Sequence, residues 1–343
     1  MNYPIFTKEH KSLMAKYLTN DIFDKLKDKK TTNNFTIQNA INSGVKNPDS
    51  GIGAYAGDIE SYKTFDLLFD PIIKEYHNFS QTDTHQSDLN PDNLNAPNSD
   101  DLDKYIVSTR IRVGRNLKDF PLGPAISDKQ RDEVEQIVSE ALSSLDGNLS
   151  GKYYPINGMS KKDSDSLIKD HFLFKAGDRF LETAGLNRNW PMGRGIYHNT
   201  DKTFLVWINE EDQLRIISMQ NGGDIKEVFT RLTTAIDELE KKMEFSFNKH
   251  LGYITSCPTN LGTAMRASVH IKVPNLSKNM EKFKTITDKY HLQIRGIDGE
   301  HSESKGGIYD ISNKRRLGVT EVQCVQDMYD GVIALINTEK ELS

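Results

Sequence analysis

The first part of the chain carries apolar side chains at helical spacing. Between residues 13 and 26 they recur every three or four positions, and residues 59–76 repeat the same pattern, so helices are predicted in both stretches. A shorter segment, 36–43, is predicted to end at Gly44, because glycine often follows the last residue of a helix. The N-terminal part is therefore expected to be all-helical.

From residue 105 onward the pattern changes to a mixture of strands and helices. Residues 105–113 alternate, and residues 203–209 and 214–220 are apolar runs joined by four polar residues, which predicts a hairpin. Residues 127–145 and 224–243 each begin with a capping residue and continue as an amphipathic helix. The expected fold class is α+β, with an antiparallel sheet.

These patterns divide the chain into three parts. The segment 81–104 is rich in Asp, Asn and Pro and has no aromatic residue, so it is predicted to be a linker. It separates an all-helical N-terminal domain, 1–80, from a larger domain, 105–343, of mixed strands and helices. The length of 343 residues agrees with two domains of roughly 150 residues each.

Composition describes an ordinary globular protein. Apolar residues make up 36% of the chain and charged residues 27%, and the formal net charge is −5. The slightly acidic balance argues against nucleic-acid or membrane partners, and no apolar run approaches the length of about 18 residues that a membrane span needs. The start lacks a signal-peptide pattern, and the two cysteines match no metal spacing, so a reduced cytoplasmic location is expected.

The arginines are distributed unevenly. All 13 lie between Arg110 and Arg316, although lysines are plentiful before them. The uneven distribution is either a difference in composition between the domains or a sign that the larger domain binds a polyanion. The second alternative is considered because the planar guanidinium group can donate two hydrogen bonds to one phosphate. Arg110 and Arg112 point to one face of a predicted strand, which is either a solvated face or part of a phosphate clamp. Candidates to complete such a clamp are Arg215, Arg266 and Arg295. Backbone phosphate loops and protein-kinase motifs are absent, so a nucleotide would be held by side chains.

Acidic and thiol groups add candidate chemistry. Glu210, Glu211 and Asp212 cluster at the predicted hairpin, either as a polar turn or as carboxylates that position a cation or take its proton. The glycine-bounded stretch 296–307 is either a surface loop or a lid that carries an acid to a substrate. Cys257 is either a small buried hydrophobe or a thiolate stabilised by the hydroxyl two residues later.

Several separated strings resemble the signatures of the phosphagen kinases, the ATP:guanidino phosphotransferases. The resemblance covers almost the whole chain and is weakest in the linker. The strings are CPTNLGT at 257–263, STRIR at 108–112, GRGIYHN at 193–199, NEED at 209–212, RASVH at 266–270, RG at 295–296, GEH at 299–301 and YDISNKRR at 309–316.

The resemblance implies a fold and an activity. It implies a small helical N-terminal domain and a C-terminal antiparallel sheet flanked by helices, as in glutamine synthetase. It also implies reversible transfer of the γ-phosphoryl group of ATP to a guanidino nitrogen with Mg²⁺. The ion would be held mainly by the ATP phosphates and water, and no protein metal ligand is expected.

The same resemblance implies the residues of the site. Glu211 and Glu300 should grip the guanidinium as catalytic groups, with Cys257 beside it as a thiolate. The substrate-binding loop would be Ser50, Gly51, Ile52, Gly53, Ala54 and Tyr55. The nucleotide-binding residues would be Ser108, Thr109, Arg110, Ile111, Arg112, His171, Arg215, Arg266, Ala267, Ser268, Val269, His270, Arg295, Gly296, Ile297, Asp298, Gly299 and Glu300. Ile297 and Asp298 depart from the family's more frequent Thr-Arg pair, which places an acid near the expected phosphates.

The expected guanidino substrate is L-arginine. The loop length, Tyr55 and Tyr76 resemble the arginine-specific members of the family. Ala54 is smaller than their usual aliphatic residue; a wider pocket would keep taurocyamine or a related guanidine open. Asp49 and Arg179 match a pair that bridges the two domains in those members.

Two rival functions are weighed against this interpretation. A bacterial-type protein arginine kinase shares the catalytic domain but lacks the helical domain and the glycine-rich loop, both present here. A non-catalytic nucleotide-binding relative would have lost Glu211, Glu300 or a clamp arginine, and this chain keeps them all. The expected protein is a monomer whose partners are ATP, ADP and arginine.

Overall fold

A computed structural model describes residues 2–169, 172–296 and 306–343. Its N-terminal helices are α1 (Leu13–Tyr17), α2 (Asn20–Leu26), α3 (Ile37–Lys46), α4 (Ser61–Thr64) and α5 (Asp66–His77). The later helices are α6 (Asp100–Tyr105), α7 (Asp128–Ser143), α8 (Lys161–Lys169), α9 (Arg179–Thr183), α10 (Ile225–Glu240), α11 (Met280–Lys289) and α12 (Glu321–Glu341). The strands are β1 (Ile106–Arg115), β2 (Gly151–Pro155), β3 (Gly195–Asn199), β4 (Phe204–Ile208), β5 (Leu214–Asn221), β6 (Phe247–Asn248), β7 (Gly252–Tyr253), β8 (Met265–Lys272), β9 (Leu292–Arg295) and β10 (Ile308–Asn313).

The N-terminal part is helical as predicted, but one helix boundary was wrong. Thr36 caps α3 through a capping box with Asn39, and the helix continues through Gly44 to Lys46. A Cβ atom on Gly44 would lie 2.5 Å from the Cα atom of Gly53. The glycine therefore allows close packing of the helix against the neighbouring loop and does not terminate it.

The hydrophobic core of the N-terminal helices extends into the larger domain. Phe23, Ile41 and Phe69 are fully buried in one cluster that also contains Ile254 and Leu261. The helices therefore pack onto the segment around residue 257 and do not close a core of their own. The division into domains at residues 80 and 105 remains a prediction.

The larger domain is built on an eight-stranded antiparallel sheet in the order β2-β3-β4-β5-β1-β8-β10-β9. Helices α7, α10, α11 and α12 pack on this sheet around the largest hydrophobic core. The predicted hairpin is confirmed as β4 and β5, and the capping box of Ser127 and Gln130 is present at α7. The predicted α+β architecture is confirmed.

The segment between the two parts lies against helix α12. The Glu321 carboxylate accepts hydrogen bonds from the Ser87 hydroxyl (3.0 Å) and the Asp88 amide (2.9 Å). Farther along, the Tyr329 hydroxyl donates to the Pro97 carbonyl at 2.9 Å. These bonds attach the linker to the larger domain along much of its length. None of the described helices has the length and apolar composition that a bilayer crossing requires.

Candidate active site

One face of the sheet carries a group of arginines. On β1 the side chains of Arg110 and Arg112 share a face, because alternate residues of a strand point the same way. The register places Arg112 directly opposite Arg266 on β8, and Gly114 opposite Arg215 on β5. Cross-strand partners share a face, so all four guanidinium groups lie on the side of the sheet opposite its main core.

The far edge of the sheet extends this arginine face. Asp310 on β10 is the cross-strand partner of both His270 on β8 and Arg295 on β9. The fifth arginine therefore joins the other four, and a carboxylate stands between Arg266 and Arg295. The sequence-based expectation that the five arginines converge agrees with this geometry.

The arginines of this face are poorly solvated and close together. Burial lowers the pKa of Arg110 to about 10, with a further contribution from the charges of Arg215 and Arg266. Burial likewise lowers the pKa of Arg112 well below its usual value. The Nε and Nη2 atoms of Arg110 are buried and make no hydrogen bond within the described chain. Such a cluster of desolvated cations suits a polyanion such as a triphosphate.

Acidic and aromatic side chains hold two of these arginines in place. Arg215 pairs with Glu210 at 2.9 Å and with Glu211 at 3.0 Å. The Trp207 ring lies 5.5 Å from the guanidinium carbons of both Arg110 and Arg215, within the range of a cation–π contact. The hairpin residues therefore organise the arginine face as well as supplying carboxylates.

A second counter-ion lies at the other end of the arginine face. The Arg266 Nη2 atom donates to Asp310 Oδ1 at 2.6 Å, and His270 Nε2 lies 3.5 Å from Asp310 Oδ2. Sequence analysis did not single out Asp310, although it lies in the YDISNKRR string. The signal that could have identified Asp310 was an aspartate on a strand that neighbours the strands of two clamp arginines, Arg266 and Arg295.

A cavity of about 720 Å³ lies between the N-terminal helices and the arginine face. The N-terminal side contributes the loop 50–53 together with Tyr55, Glu75 and Tyr76. The larger domain contributes Arg112, Glu211, Cys257, Arg266 and Arg295. The cavity thus brings the expected substrate loop, one expected catalytic carboxylate, the expected thiol and three clamp arginines to one place.

Glu211 lies where the acidic hairpin residues meet the arginine face. Its Oε1 atom accepts a 3.4 Å hydrogen bond from Asn260 Nδ2, and its Oε2 atom is held by Arg215. Burial raises the pKa of Glu211 to about 7, although the charge of Arg215 acts in the opposite direction. A carboxylate with a pKa near neutrality is able both to take and to return a proton.

Cys257 lies beside this carboxylate and is 8% exposed. Its sulfur is 3.1 Å from the Thr259 hydroxyl, the contact that the sequence suggested. Burial and the nearby charge of Glu211 raise the pKa of the thiol to about 12. Without a substrate the sulfur therefore keeps its proton, and the expected thiolate would require a bound cation beside it.

The loop at residues 50–55 is held by its carbonyl groups. The carbonyl oxygens of Gly51, Ile52 and Gly53 accept hydrogen bonds from the amides of Leu13, Met14 and Gly44, at 2.9 to 3.1 Å. The Tyr55 ring is 9% exposed and packs in the same apolar cluster as Cys257.

Ala54 departs from the expectation for this loop. Its side chain is fully buried in the hydrophobic core of the N-terminal helices, and the residue is not part of the cavity lining. A small residue at this position therefore does not widen the cavity. The structure gives no support to the idea that Ala54 makes room for taurocyamine or another guanidine.

The expected bridge between the two parts of the chain is present. Arg179 on α9 forms a bidentate ion pair with Asp49, with one Nη1–Oδ1 distance of 2.8 Å. Nearby, Asn42 Nδ2 donates to the Thr183 carbonyl at 2.6 Å. These contacts connect α3 and the loop after it to α9.

Some of the expected nucleotide residues point away from the arginine face. Ile111, Ala267 and Val269 are buried in the core beneath the sheet, and the Thr109 hydroxyl donates to the Gly222 carbonyl. Strand alternation is the reason, since each flanks a residue that points the other way. Their side chains are not at the candidate site, whereas Ser108, Ser268 and His270 share the arginine face. Gly296 directly follows β9.

Part of the expected site cannot be placed. His171, Ile297, Asp298, Gly299 and Glu300 lie outside the described residues, so their roles remain predictions.

Two further residues that support the turn after Cys257, Arg316 and Asn260, were not singled out from the sequence. Arg316 Nη1 donates to the Thr259 carbonyl at 2.9 Å and to Asn260 Oδ1 at 2.7 Å. Asn260 in turn reaches Glu211. Both residues belong to strings that carried the family resemblance, but only the tertiary structure shows how they act together.

Comparisons with known proteins show the family to which the chain belongs. A family model described as ATP:guanido phosphotransferase, C-terminal catalytic domain, matches residues 133–342, and the N-terminal domain of the same family matches residues 8–74. The fold and site define a phosphagen kinase, and the chain belongs to the ATP:guanido phosphotransferase family. Within that family, the chain is 54–58% identical to several proteins named arginine kinase.

The arginine kinase of Anthopleura japonica is 58% identical over 335 residues, which are 96% of this chain and 47% of that protein. This chain thus spans about half of that relative. The arginine kinase Lit v 2 of Penaeus vannamei is 56% identical over 97% of this chain and 94% of its own length.

Solved structures show the same similarity. A crystal structure of lombricine kinase covers 99% of this chain and 95% of its own, with a TM-score of 0.94 and 40% identity. The duplicated taurocyamine kinase from Schistosoma mansoni, solved with transition-state analogue components, covers 97% of this chain and 47% of its own. Its TM-score is 0.91 and its identity 44%.

Proposed function

We propose that the protein is an arginine kinase, which transfers the γ-phosphoryl group of ATP reversibly to the guanidino group of L-arginine. The observation that carries the proposal is the cavity in which Glu211 and Cys257 meet three arginines of the sheet face. A triphosphate fits the cationic side and a guanidinium fits the acidic side. The high identity to arginine kinases supports the choice of arginine.

The arginine face would bind and orient the phosphates. Five guanidinium groups on one rigid sheet offer forked donors that match phosphate oxygens. Because they are fixed before the substrate arrives, they stabilise the charge of the transferring group without reorganisation. A single such arginine contributes about 10³-fold or more to phosphoryl transfer in other enzymes.

Glu211 would act on the guanidinium. A guanidinium has a pKa above about 12 and must lose a proton to become a nucleophile. With a pKa of about 7, Glu211 is partly ionised near neutrality and can accept that proton. Glu300 would be the second carboxylate, and it stays a prediction.

The loop 51–53 would recognise the amino-acid end of the substrate. The bonds that the loop carbonyls accept hold the loop in place, and within the described chain the amide N–H groups of residues 51–53 donate no hydrogen bond, so they are available to a ligand. N–H groups bind a carboxylate such as that of arginine. Tyr55 and Tyr76 line the same part of the cavity.

Mg²⁺ would enter with the nucleotide. Among the described residues no three His, Cys, Asp or Glu side chains lie close enough to hold an ion. Phosphate oxygens and water are the partners that Mg²⁺ prefers in kinases, and the ion would neutralise charge on the transferring group. Omission of Mg²⁺ from the assay should abolish turnover.

A substrate panel tests the proposal. Purified protein with Mg²⁺ and ATP is assayed by coupled ADP release with arginine, taurocyamine, lombricine, glycocyamine and creatine. We expect the highest kcat/KM with arginine. A preference for lombricine or taurocyamine would instead favour the activity named for the structural neighbours. No turnover with any of the five would contradict the proposal.

The expected cytoplasmic monomer is tested separately by light scattering and cell fractionation.

A further inference from the structure

An imidazole from the N-terminal helices contacts the turn that follows Cys257. His77, the last residue of α5, has its Nε2 atom 2.8 Å from the Pro258 carbonyl oxygen. The preceding residues of the same helix, Glu75 and Tyr76, line the cavity. His77 is therefore located where the N-terminal helices meet the catalytic turn, yet it is outside the cavity lining itself.

The turn that His77 contacts carries two groups of the candidate site. Pro258 begins a short 3₁₀ helix, Pro258–Asn260. Within it, the Thr259 hydroxyl contacts the sulfur of Cys257, and Asn260 Nδ2 donates to Glu211. A displacement of this turn would therefore move the partners of both the thiol and the carboxylate.

The turn is held from two sides. Arg316, from the larger domain, donates to the Thr259 carbonyl and to the Asn260 side chain. His77, from the N-terminal helices, holds the carbonyl one residue earlier. The two contacts bind adjacent peptide groups, so neither duplicates the other.

The protonation of His77 follows from its surroundings. Burial lowers the pKa of His77 to about 4, although the hydrogen bond with Pro258 acts in the opposite direction; the charges of Arg316 and His85 lower it slightly further. The ring is neutral at physiological pH and carries one proton. A carbonyl oxygen only accepts hydrogen bonds, so the proton must be on Nε2. His77 thus acts as a fixed neutral donor.

We infer that His77 is a positioning residue for the proposed reaction: its hydrogen bond to Pro258 holds the turn that places Thr259 against Cys257 and Asn260 against Glu211. The inference rests on the proposed function for its catalytic consequence. The contact itself is independent of which guanidine is the substrate.

Four variants test the inference. His77→Phe keeps a ring against Tyr76 but removes the donor, and His77→Gln keeps a donor. His250→Phe is the matched control, because His250 makes a similar 2.7 Å bond to the Asp83 carbonyl away from the cavity. His77→Glu replaces the Gln donor by a near-isosteric group that, when ionised, cannot donate.

We expect kcat of His77→Phe to fall by about tenfold to a hundredfold, because small misplacements of reacting groups have effects of this size. KM for ATP should stay within about twofold, since the arginine face is untouched. His77→Gln should restore most of kcat, and His250→Phe should match wild type. A wild-type kcat in His77→Phe, or an equal fall in His250→Phe, would overturn the inference.

Hydrogen exchange gives a readout that does not depend on activity. Amides in a peptide covering residues 257–262 should exchange faster in His77→Phe, and return to the wild-type rate in His77→Gln. If the wild-type protein has no kinase activity, the proposed function is wrong, but hydrogen exchange still tests whether His77 holds the turn. Unchanged exchange in His77→Phe would refute that role of His77. If His77→Phe does not fold, a lower kcat in His77→Glu than in His77→Gln supports the inference, and equal values contradict it.

Discussion

Arg112 and Arg266 are direct cross-strand partners on one face of the sheet. Like charges directly opposite each other destabilise a sheet, and here burial adds to the cost by lowering the pKa of Arg112. The free protein therefore holds a concentrated positive charge that a bound polyphosphate would neutralise.

Replacement of one partly buried arginine of the cavity should not destabilise the free protein but should remove its response to nucleotide. We expect Arg112→Met to leave Tm unchanged or raise it, because the change removes a poorly solvated cation together with its repulsion from Arg110, Arg215 and Arg266. Mg-ATP should raise the Tm of wild type, because a ligand that binds only the folded state stabilises it. It should not raise the Tm of the variant. Thermal unfolding with and without Mg-ATP measures both.

The control for this prediction is Arg231→Met. Arg231 is also buried, but it bonds to Ser218 and Gln220 on the helix-covered side of the sheet. This variant should lose stability and keep the shift with nucleotide. A clear fall in Tm for Arg112→Met would show that the arginine face is not a source of strain in the free protein.

The pH dependence of the reaction should follow Glu211. Its raised pKa of about 7 means that the carboxylate is ionised above that pH and protonated below it. Formation of phosphoarginine should therefore slow as pH falls below about 7, and the reverse reaction should slow as pH rises above it. Initial rates in both directions between pH 5.5 and 9 check the sign.

Glu211→Gln should lower kcat by about 10²- to 10⁴-fold and remove the acid limb of the profile. Glu135→Gln is a matched control, since burial also raises the pKa of Glu135, which lies on α7 and contacts Tyr153 on β2, away from the cavity. A full acid limb in Glu211→Gln would assign the titration to another group.

The ion pair between Asp49 and Arg179 should couple the two substrates. Both side chains are largely exposed, so Asp49→Gly should hardly change Tm. We expect the variant to lose much of the tightening of ATP binding that arginine causes in wild type, because the loop after α3 loses its ion pair with α9. Calorimetric titration of ATP with and without arginine measures this. Glu244→Gly, which breaks the exposed pair with Lys118, should leave the coupling intact. Equal coupling in Asp49→Gly and wild type would contradict the prediction.

Cys257 should act by electrostatics and packing and not as a covalent nucleophile. In the free protein its thiol is protonated, because its pKa is raised to about 12. Cys257→Ser should therefore keep measurable activity, at a reduced kcat. Turnover assays and intact-mass spectrometry during the reaction check this. A trapped phosphocysteine adduct would refute it.

Local sequence patterns were sufficient for part of the secondary structure, but they did not predict α11, α12, β9 or β10. The capping box at Ser127, the hairpin of β4 and β5 and the alternation on β1 depend on neighbouring residues, and the structure has all three. Gly44 was misjudged because its role is to let α3 approach Gly53, a contact between segments that no local pattern records.

By itself the sequence determined the family, the fold class and the types of group available for the chemistry, because these depend on residue identity and short-range periodicity. Only the tertiary structure decided that five arginines share one face, that Ile111 and Val269 face the core, and that Ala54 avoids the cavity. It also decided that the Cys257 thiol is protonated and that His77 reaches Pro258. The physical reason is that strand register, burial and charge proximity arise between distant segments, and they set the pKa values and contacts on which a site depends.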